Sequence, residues 1–265
     1  GLGGILPASA LSAGADLVVH SLHKSSIGLA QTAVLWSQGH RIDPIAIRRS
    51  IGCLQTSSPS SLLLASCETS LREWTNPAGQ RKLMRRLYEA KDFSSSLKKS
   101  GLPILKNDDP FRLILHTADK GISGFDADKW FISRGLIPEL PEPGCLTFCL
   151  GYSSQKGVAR FFARIWDELL AKYPLRNSMK PFSPPPIPLV HKPFINSSLA
   201  WRSKTISVSL KEALDRVSAD LICPYPPGIP LLIPGEALDR KRIDWLLEQY
   251  YLWPEQIPTN LRVVL

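Results

Sequence analysis

Short apolar runs alternate with amphipathic stretches, and this alternation constrains the fold more than any other feature of the sequence. Strands are predicted at 111–116 and 145–150, and helices at 126–134 and 155–172. The second helix carries apolar residues at helical spacing, on one stripe: Val158, Phe161, Phe162, Ile165, Trp166, Leu169 and Leu170. Strand and helix in alternation predict a small α/β layer.

The first hundred residues have a related pattern. In chain order we expect a strand at 15–20, a strand at 31–36, a helix at 59–74 capped by Ser57 or Ser58, and a basic amphipathic helix at 78–99. The run Ala-Asp-Leu-Val-Val-His at 15–20 is apolar and β-branched, which is typical of a strand buried on both faces of a parallel sheet.

Proline organises the C-terminal part of the chain. Residues 174–193 hold seven prolines and predict a semi-rigid, extended connector. Ser209 with Glu212 forms a capping-box pattern, which predicts a helix to about residue 218. The proline-rich run at 222–230 predicts a rigid turn that leads into a short edge strand at 231–236. A last helix is expected at 239–250.

Composition excludes several classes of protein. Among 265 residues, 44% are hydrophobic and 21% are charged, which is ordinary for a globular chain and not for a disordered, collagen-like or coiled-coil one. No apolar run is long enough for a membrane helix. The net charge of +9 comes from scattered basic residues, so nucleic-acid binding is a minor hypothesis. Five cysteines without a Cys-x-x-Cys pair indicate buried thiols in a reducing, cytoplasmic setting, and no metal-ligand constellation appears.

A polar cluster follows the run at 15–20, and it contains the sequence Ser-Leu-His-Lys at 21–24. Ligands of α/β sheets bind at the carboxyl ends of strands. A lysine placed there can lose water, which lowers its pKa and frees a neutral amine for Schiff-base chemistry. Ser21 and His23 could donate hydrogen bonds to an anionic group. The alternative is that Lys24 is an ordinary solvated loop residue.

Three blocks of sequence together resemble a known family. The segment Ala13–Lys24, the Ser/Thr-rich segment Gln55–Ser60, and the block Cys223–Pro230 with Pro234-Gly235-Glu236 occur in the order seen in the ornithine/lysine/arginine decarboxylases. These are pyridoxal-phosphate enzymes with the aspartate-aminotransferase-like fold, known as fold type I. The resemblance implies an α/β protein, with residues 1–100 belonging to the cofactor domain and 101–265 forming a small C-terminal domain.

The resemblance also implies roles for individual residues. Lys24 would form the internal aldimine with pyridoxal phosphate, and His23 would assist beside it. The cofactor phosphate would be contacted by His23, by Ser21 and, from a neighbouring subunit of a homodimer, by Thr56, Ser57 or Ser58. Glu236 would bind the positively charged end of the substrate or, equally, serve as a turn residue.

The expected reaction is decarboxylation of arginine, lysine or ornithine. The family's Asp-x-Ala-His segment, which holds the cofactor ring nitrogen, does not occur before Lys24, and the first residue is Gly1. We therefore expect a C-terminal portion of the enzyme that is poorly active by itself. The alternative hypothesis is a non-catalytic homologue or fragment that acts as a partner subunit.

Overall fold

A computed structural model describes residues 6–153, 157–173, 179, 185–187, 193–225, 228–252, 254 and 256–265, except for the side chain of Ser25. The chain divides into two compact units. The first unit comprises residues 1–114 and 149–164, and the second comprises 115–148 and 165–265. Helices and strands are mixed along both. Within the described residues, no helix combines the length and the apolar character needed to cross a membrane.

The first unit begins with a two-stranded antiparallel sheet. Strand β1 (Leu17–Ser21) pairs with β2 (Ala33–Ser37) in the register Leu17 to Ser37, and the short helix α1 (Leu22–Ser25) follows β1 directly. The prediction of a buried parallel strand at 15–20 was wrong, because these two strands run antiparallel and Val19 is 67% exposed. The connection between them is shorter than the dozen or more residues that a parallel crossover needs.

Three helices follow β2. Helix α2 (Pro44–Leu54), which was not predicted, begins after Asp43, whose side chain accepts from the Ile45 N–H. Helix α3 (Ser61–Thr75) is capped by Ser60, so the prediction of Ser57 or Ser58 as the cap was wrong. Helix α4 (Pro77–Lys99) confirms the basic helix. The buried face of α4 contributes Leu83, Leu87 and Ala90 to a hydrophobic core cluster of this unit, where they pack with Phe111.

The strands of the predicted α/β layer are present. Strand β3 (Arg112–Leu115), β4 (Leu140–Glu142) and β5 (Cys145–Cys149) form a sheet of order β3-β5-β4, and β4 and β5 are antiparallel. The helices are α5 (Gly124–Ile132) and α6 (Val158–Lys172). On α6 the apolar stripe is buried at Phe162, Ile165, Trp166 and Leu169, which confirms the helical spacing found in the sequence.

The end of the second unit packs around a helix and a second two-stranded sheet. Helix α7 (Ser197–Arg202) precedes β6 (Thr205–Ser209), which pairs antiparallel with β7 (Asn260–Val264). Helix α8 (Arg240–Tyr250) is capped by Asp239. Buried apolar residues from these elements and from the loops between them form one core cluster, which includes Leu210, Leu232, Ile243, Leu246 and Val263.

Two predictions in this region were wrong. The Glu212 carboxylate does accept from the Ser209 N–H, at 3.1 Å, but only a 3₁₀ turn over Leu210–Ala213 follows. The chain then leaves the helix because Val217 and Ser218 form β-bridges. In place of an edge strand at 231–236, a single bridge joins Ile222 and Leu232. The expected connector at 174–193 lies almost entirely outside the described residues.

The cysteines are free thiols, as expected, but they are not buried. Cys53 and Cys149 are exposed, and the other three are half-buried. These five positions lie on faces that the packing of the described chain leaves partly open to solvent.

Candidate active site

Lys24 lies on α1, directly after the carboxyl end of β1, and its side chain is exposed. It lines a cavity of about 360 Å³ within the first unit, which we call the Lys24 cavity. The other residues of its wall come from α3, from the start of β3 and the segment before it, from the end of β5 and the chain after it, and from two positions near α1 and the start of the described chain: Trp74, Asp109, Phe111, Arg112, Cys149, Leu150, Gly151, Tyr152, Ser26 and Leu6. A primary amine therefore faces a cavity with aromatic and charged walls.

His23 is held by the strand that pairs with β1. Its Nδ1 atom lies 3.0 Å from the carbonyl oxygen of Thr32. A carbonyl oxygen only accepts, so Nδ1 must carry the proton and Nε2 is the nitrogen left for other contacts. The backbone N–H of Leu22 donates to the same oxygen at 2.9 Å, and the Leu22 side chain is buried. These contacts fix the start of α1 and therefore the backbone that carries Lys24.

Helix α3 holds the segment that follows Lys24. The indole N–H of Trp74 donates to the hydroxyl of Ser26. The backbone N–H of Leu29 donates to the hydroxyl of Ser66 at 2.9 Å. Two hydrogen bonds between α3 and the loop from α1 to β2 thus hold that loop in place.

Aromatic rings form one wall of the Lys24 cavity. The ring of Tyr152 packs edge-on against Trp74, with centroids 5.9 Å apart, and against Phe111, at 5.2 Å. Burial raises the pKa of the Tyr152 phenol to about 12, the Asp109 carboxylate adds to this rise, and Arg112 opposes it. Tyr152 therefore stays protonated at neutral pH and can donate a hydrogen bond.

The hydroxyl residues predicted to contact a phosphate lie elsewhere in the first unit. Ser21 ends β1 and is half-buried, and it does not line the Lys24 cavity in the described structure. Thr56, Ser57 and Ser58 are exposed in the loop between α2 and α3. There the Ser58 N–H donates to the Thr56 hydroxyl at 3.2 Å. The described chain does not bring these three hydroxyls to the wall of the Lys24 cavity.

Glu236 belongs to the second unit and is buried. Its carboxylate Oε2 lies 2.7 Å from Nη1 of Arg242, which is 1% exposed, and it accepts from the Ile233 N–H at 3.2 Å. Arg242 also pairs with Asp239 and donates to the carbonyl oxygen of Ala237. A contact between Glu236 and the charged end of a substrate would require this ion pair to open.

The sequence analysis missed Trp74, Asp109, Arg112 and Tyr152 as cavity residues. A signal for Tyr152 was available, because it comes just after the carboxyl end of β5, and the same rule had selected Lys24 after β1. Asp109 lies before β3, and Arg112 is the first residue of that strand. The rule that ligands bind at the carboxyl ends of strands does not select residues at an amino end. Nothing in the local sequence indicates that they approach Lys24.

The chain is similar to known proteins over most of its length. Residues 182–258 match the family model described as "Orn/Lys/Arg decarboxylase, C-terminal domain". Arginine decarboxylase from Bacillus subtilis (strain 168) is 27% identical over 259 residues, which cover 92% of this chain and 52% of that protein. These matches support a relationship of the chain to the Orn/Lys/Arg decarboxylase family. Arginine decarboxylase from Halalkalibacterium halodurans is 26% identical, over 92% of this chain and 52% of its own length.

Solved structures show the same fold. The E. coli constitutive lysine decarboxylase matches with a TM-score of 0.73 at 19% identity, over 94% of this chain and 49% of that chain. The Francisella novicida lysine decarboxylase matches with a TM-score of 0.73 at 17% identity, over 93% and 48%. The chain therefore spans about half the length of the relatives that it matches.

Proposed function

We propose that the complete protein decarboxylates a basic amino acid, either arginine, lysine or ornithine, to the corresponding amine and CO2 with pyridoxal phosphate as cofactor. Two kinds of observation support this. The relatives reported above are named arginine and lysine decarboxylases. Within the chain, the observation that carries the proposal is that Lys24 lines the Lys24 cavity, beside three aromatic rings and Arg112.

The residues of this cavity fit the chemistry of such a cofactor. A primary amine condenses with an aldehyde, and Lys24 supplies that amine. The rings of Trp74, Phe111 and Tyr152 offer an apolar wall to a flat ring system, and Arg112 offers a cation to an anionic group. The cavity volume of about 360 Å³ lies in the range of small-molecule sites. When bound, pyridoxal phosphate supplies an electron sink for the electrons released at Cα.

Lys24 and His23 are the two residues to which we assign catalytic roles. Lys24 would hold the cofactor through its side-chain amine. His23 has its Nδ1 proton directed at the carbonyl oxygen of Thr32, so Nε2 remains to contact the cofactor. Because Tyr152 keeps its proton, its phenol O–H can donate a hydrogen bond within the cavity.

Other parts of the proposal concern the assembled protein. We propose a homodimer in the cytoplasm, in which Ser21 of one subunit, and Thr56, Ser57 or Ser58 of its neighbour, contact the cofactor phosphate. The exposure of the three hydroxyl residues in the loop after α2 is compatible with such an intersubunit role. Residues 1–100 would belong to the cofactor domain and 101–265 to the C-terminal domain, which contains the segment matched by the family model.

The proposal is tested by measuring CO2 release from arginine, lysine and ornithine with the complete protein. We expect Lys24→Ala to lower kcat by about 10³-fold or more, since the amine that holds the cofactor is lost. Lys99→Ala is the matched control, because Lys99 is an exposed lysine of α4 that does not line the cavity. Wild-type release from none of the three substrates, or a Lys24→Ala variant as active as the control, would overturn the proposal.

A further inference from the structure

A second cavity of the first unit has a lining of a different character. It has a volume of about 470 Å³ and lies between α4 and the segment that leads into β3. From α4 it takes Lys91, Ser94, Ser95 and Lys98, at positions i, i+3, i+4 and i+7 of the helix. That spacing places the four side chains on one face of α4. We call this space the α4 cavity.

Positive charge dominates the α4 cavity. Lys91 and Lys98 are joined there by Lys106 and Arg112, so four cations line it against two carboxylates, those of Asp108 and Asp109. One of the two carboxylates already has a hydrogen-bond partner within the chain, because Oδ1 of Asp109 accepts from the Phe111 N–H at 2.9 Å.

None of the four cations forms an ion pair with another residue of the described chain, although ion pairs are common elsewhere on α4. Elsewhere on the helix, Lys82 pairs with Glu73, and Arg85 and Arg86 with Glu89. Unpaired like charges around one cavity repel each other, and a bound anion would remove that repulsion. The charge therefore indicates a ligand rather than an internal partner.

We propose that the α4 cavity binds a small, multiply charged oxyanion of the pyrophosphate class. Lysine ammonium groups bind phosphate oxygens as point charges, and the hydroxyls of Ser94 and Ser95 add neutral donors. The volume suits a small molecule rather than a protein segment. The proposal stands on the lysines and serines of α4, which do not line the Lys24 cavity, so it does not depend on the proposed cofactor chemistry.

The α4 cavity shares part of its wall with the Lys24 cavity. Leu6, Asp109 and Arg112 line both. An anion that draws the Arg112 guanidinium toward the α4 cavity would change the charge that the Lys24 cavity presents. The shared wall therefore gives the anion a route by which it would affect Lys24.

The test is a calorimetric titration of the complete protein with inorganic pyrophosphate at low salt. We expect a dissociation constant of about 1 mM or tighter, and Lys91→Gln/Lys98→Gln should raise it about tenfold or more. Both lysines are exposed, so the unfolding temperature of this variant should match that of the wild type. The matched control is Lys99→Gln/Lys241→Gln, which removes the same charge from exposed positions outside the cavity.

Three results would overturn the proposal. One is no binding at pyrophosphate concentrations up to about 10 mM. Another is an equal loss of affinity in the control variant, which would indicate attraction by net charge alone. The third is displacement of pyrophosphate by a duplex oligonucleotide that binds more tightly, which would indicate a general polyanion surface.

Discussion

Glu236 and Arg242 form a buried ion pair in which Oε2 and Nη1 are 2.7 Å apart. Removing Glu236 leaves the buried Arg242 guanidinium with the half-exposed Asp239 as its ion partner among the described residues, so part of its charge in the core is uncompensated. We expect Glu236→Gln to lower the free energy of unfolding by about 3 kcal/mol, measured by urea denaturation. Arg240→Gln breaks the exposed Arg240–Asp244 pair instead and should cost under about 1 kcal/mol. A Glu236→Gln variant of normal stability that has lost only substrate affinity would favour the substrate role over the structural one.

Trp74 should matter more for cofactor binding than its distance in sequence from Lys24 suggests. Trp74→Phe keeps an aromatic ring in the wall of the Lys24 cavity but removes the N–H that donates to Ser26. Since one hydrogen bond contributes about 1 kcal/mol, we expect cofactor affinity to fall about fivefold in a spectroscopic titration. Trp36→Phe is the control, because its indole donates to His20 on the exposed β1–β2 sheet. An equal loss in both variants would contradict a specific role for Trp74.

Tyr152 gives the protein a distinct alkaline titration. Its pKa is about 12 in the folded protein and about 10 in an unfolded chain, so the native state keeps a proton that the unfolded state releases in this window. Stability should therefore fall as the pH rises from about 10 to about 12, and below that window this contribution is fully present. Tyrosinate absorbance should show one late-titrating group that is missing in Tyr152→Phe. A tyrosine titration that Tyr152→Phe leaves unchanged would contradict the burial of this phenol.

Two helical glycines should respond to alanine in opposite directions. A Cβ at Gly79, in the first turn of α4, would overlap the backbone oxygen of Glu73, and backbone movement must relieve that overlap. We expect Gly79→Ala to cost about 2 kcal/mol of unfolding free energy. Gly52 in α2 has open space around its Cβ position, so Gly52→Ala should stabilise by about 0.5–1 kcal/mol. Thermal unfolding of both variants measures the difference, and a stabilised Gly79→Ala would contradict the close approach of α3 and α4.

Local signals in the sequence were sufficient for elements whose caps and periodicity agree. The stripe on α6, the helix expected at 239–250 and the run that became β5 all predicted elements close to the observed ones. Such elements depend on neighbouring residues of the same segment, so the sequence contains most of what determines them.

The choice of a strand's partner and the point at which a helix ends depend on contacts between residues that are far apart in the chain. The run at β1 correctly predicted a strand, but its antiparallel partner β2 is chosen by tertiary contacts. The helix expected after Ser209 stops early because Val217 and Ser218 bridge to Ala237 and Val263. In the same way Lys24 could be selected from its segment, whereas Asp109 and Arg112 reach its cavity only through the fold.

The most direct measurement of the central claim is borohydride reduction of the complete protein with pyridoxal phosphate, followed by peptide mass spectrometry. The account predicts that the phosphopyridoxyl group is fixed to the peptide that contains Lys24, and that Lys24→Ala loses both this label and the visible cofactor band. Fixation to a different lysine, or an unchanged band in Lys24→Ala, would contradict it.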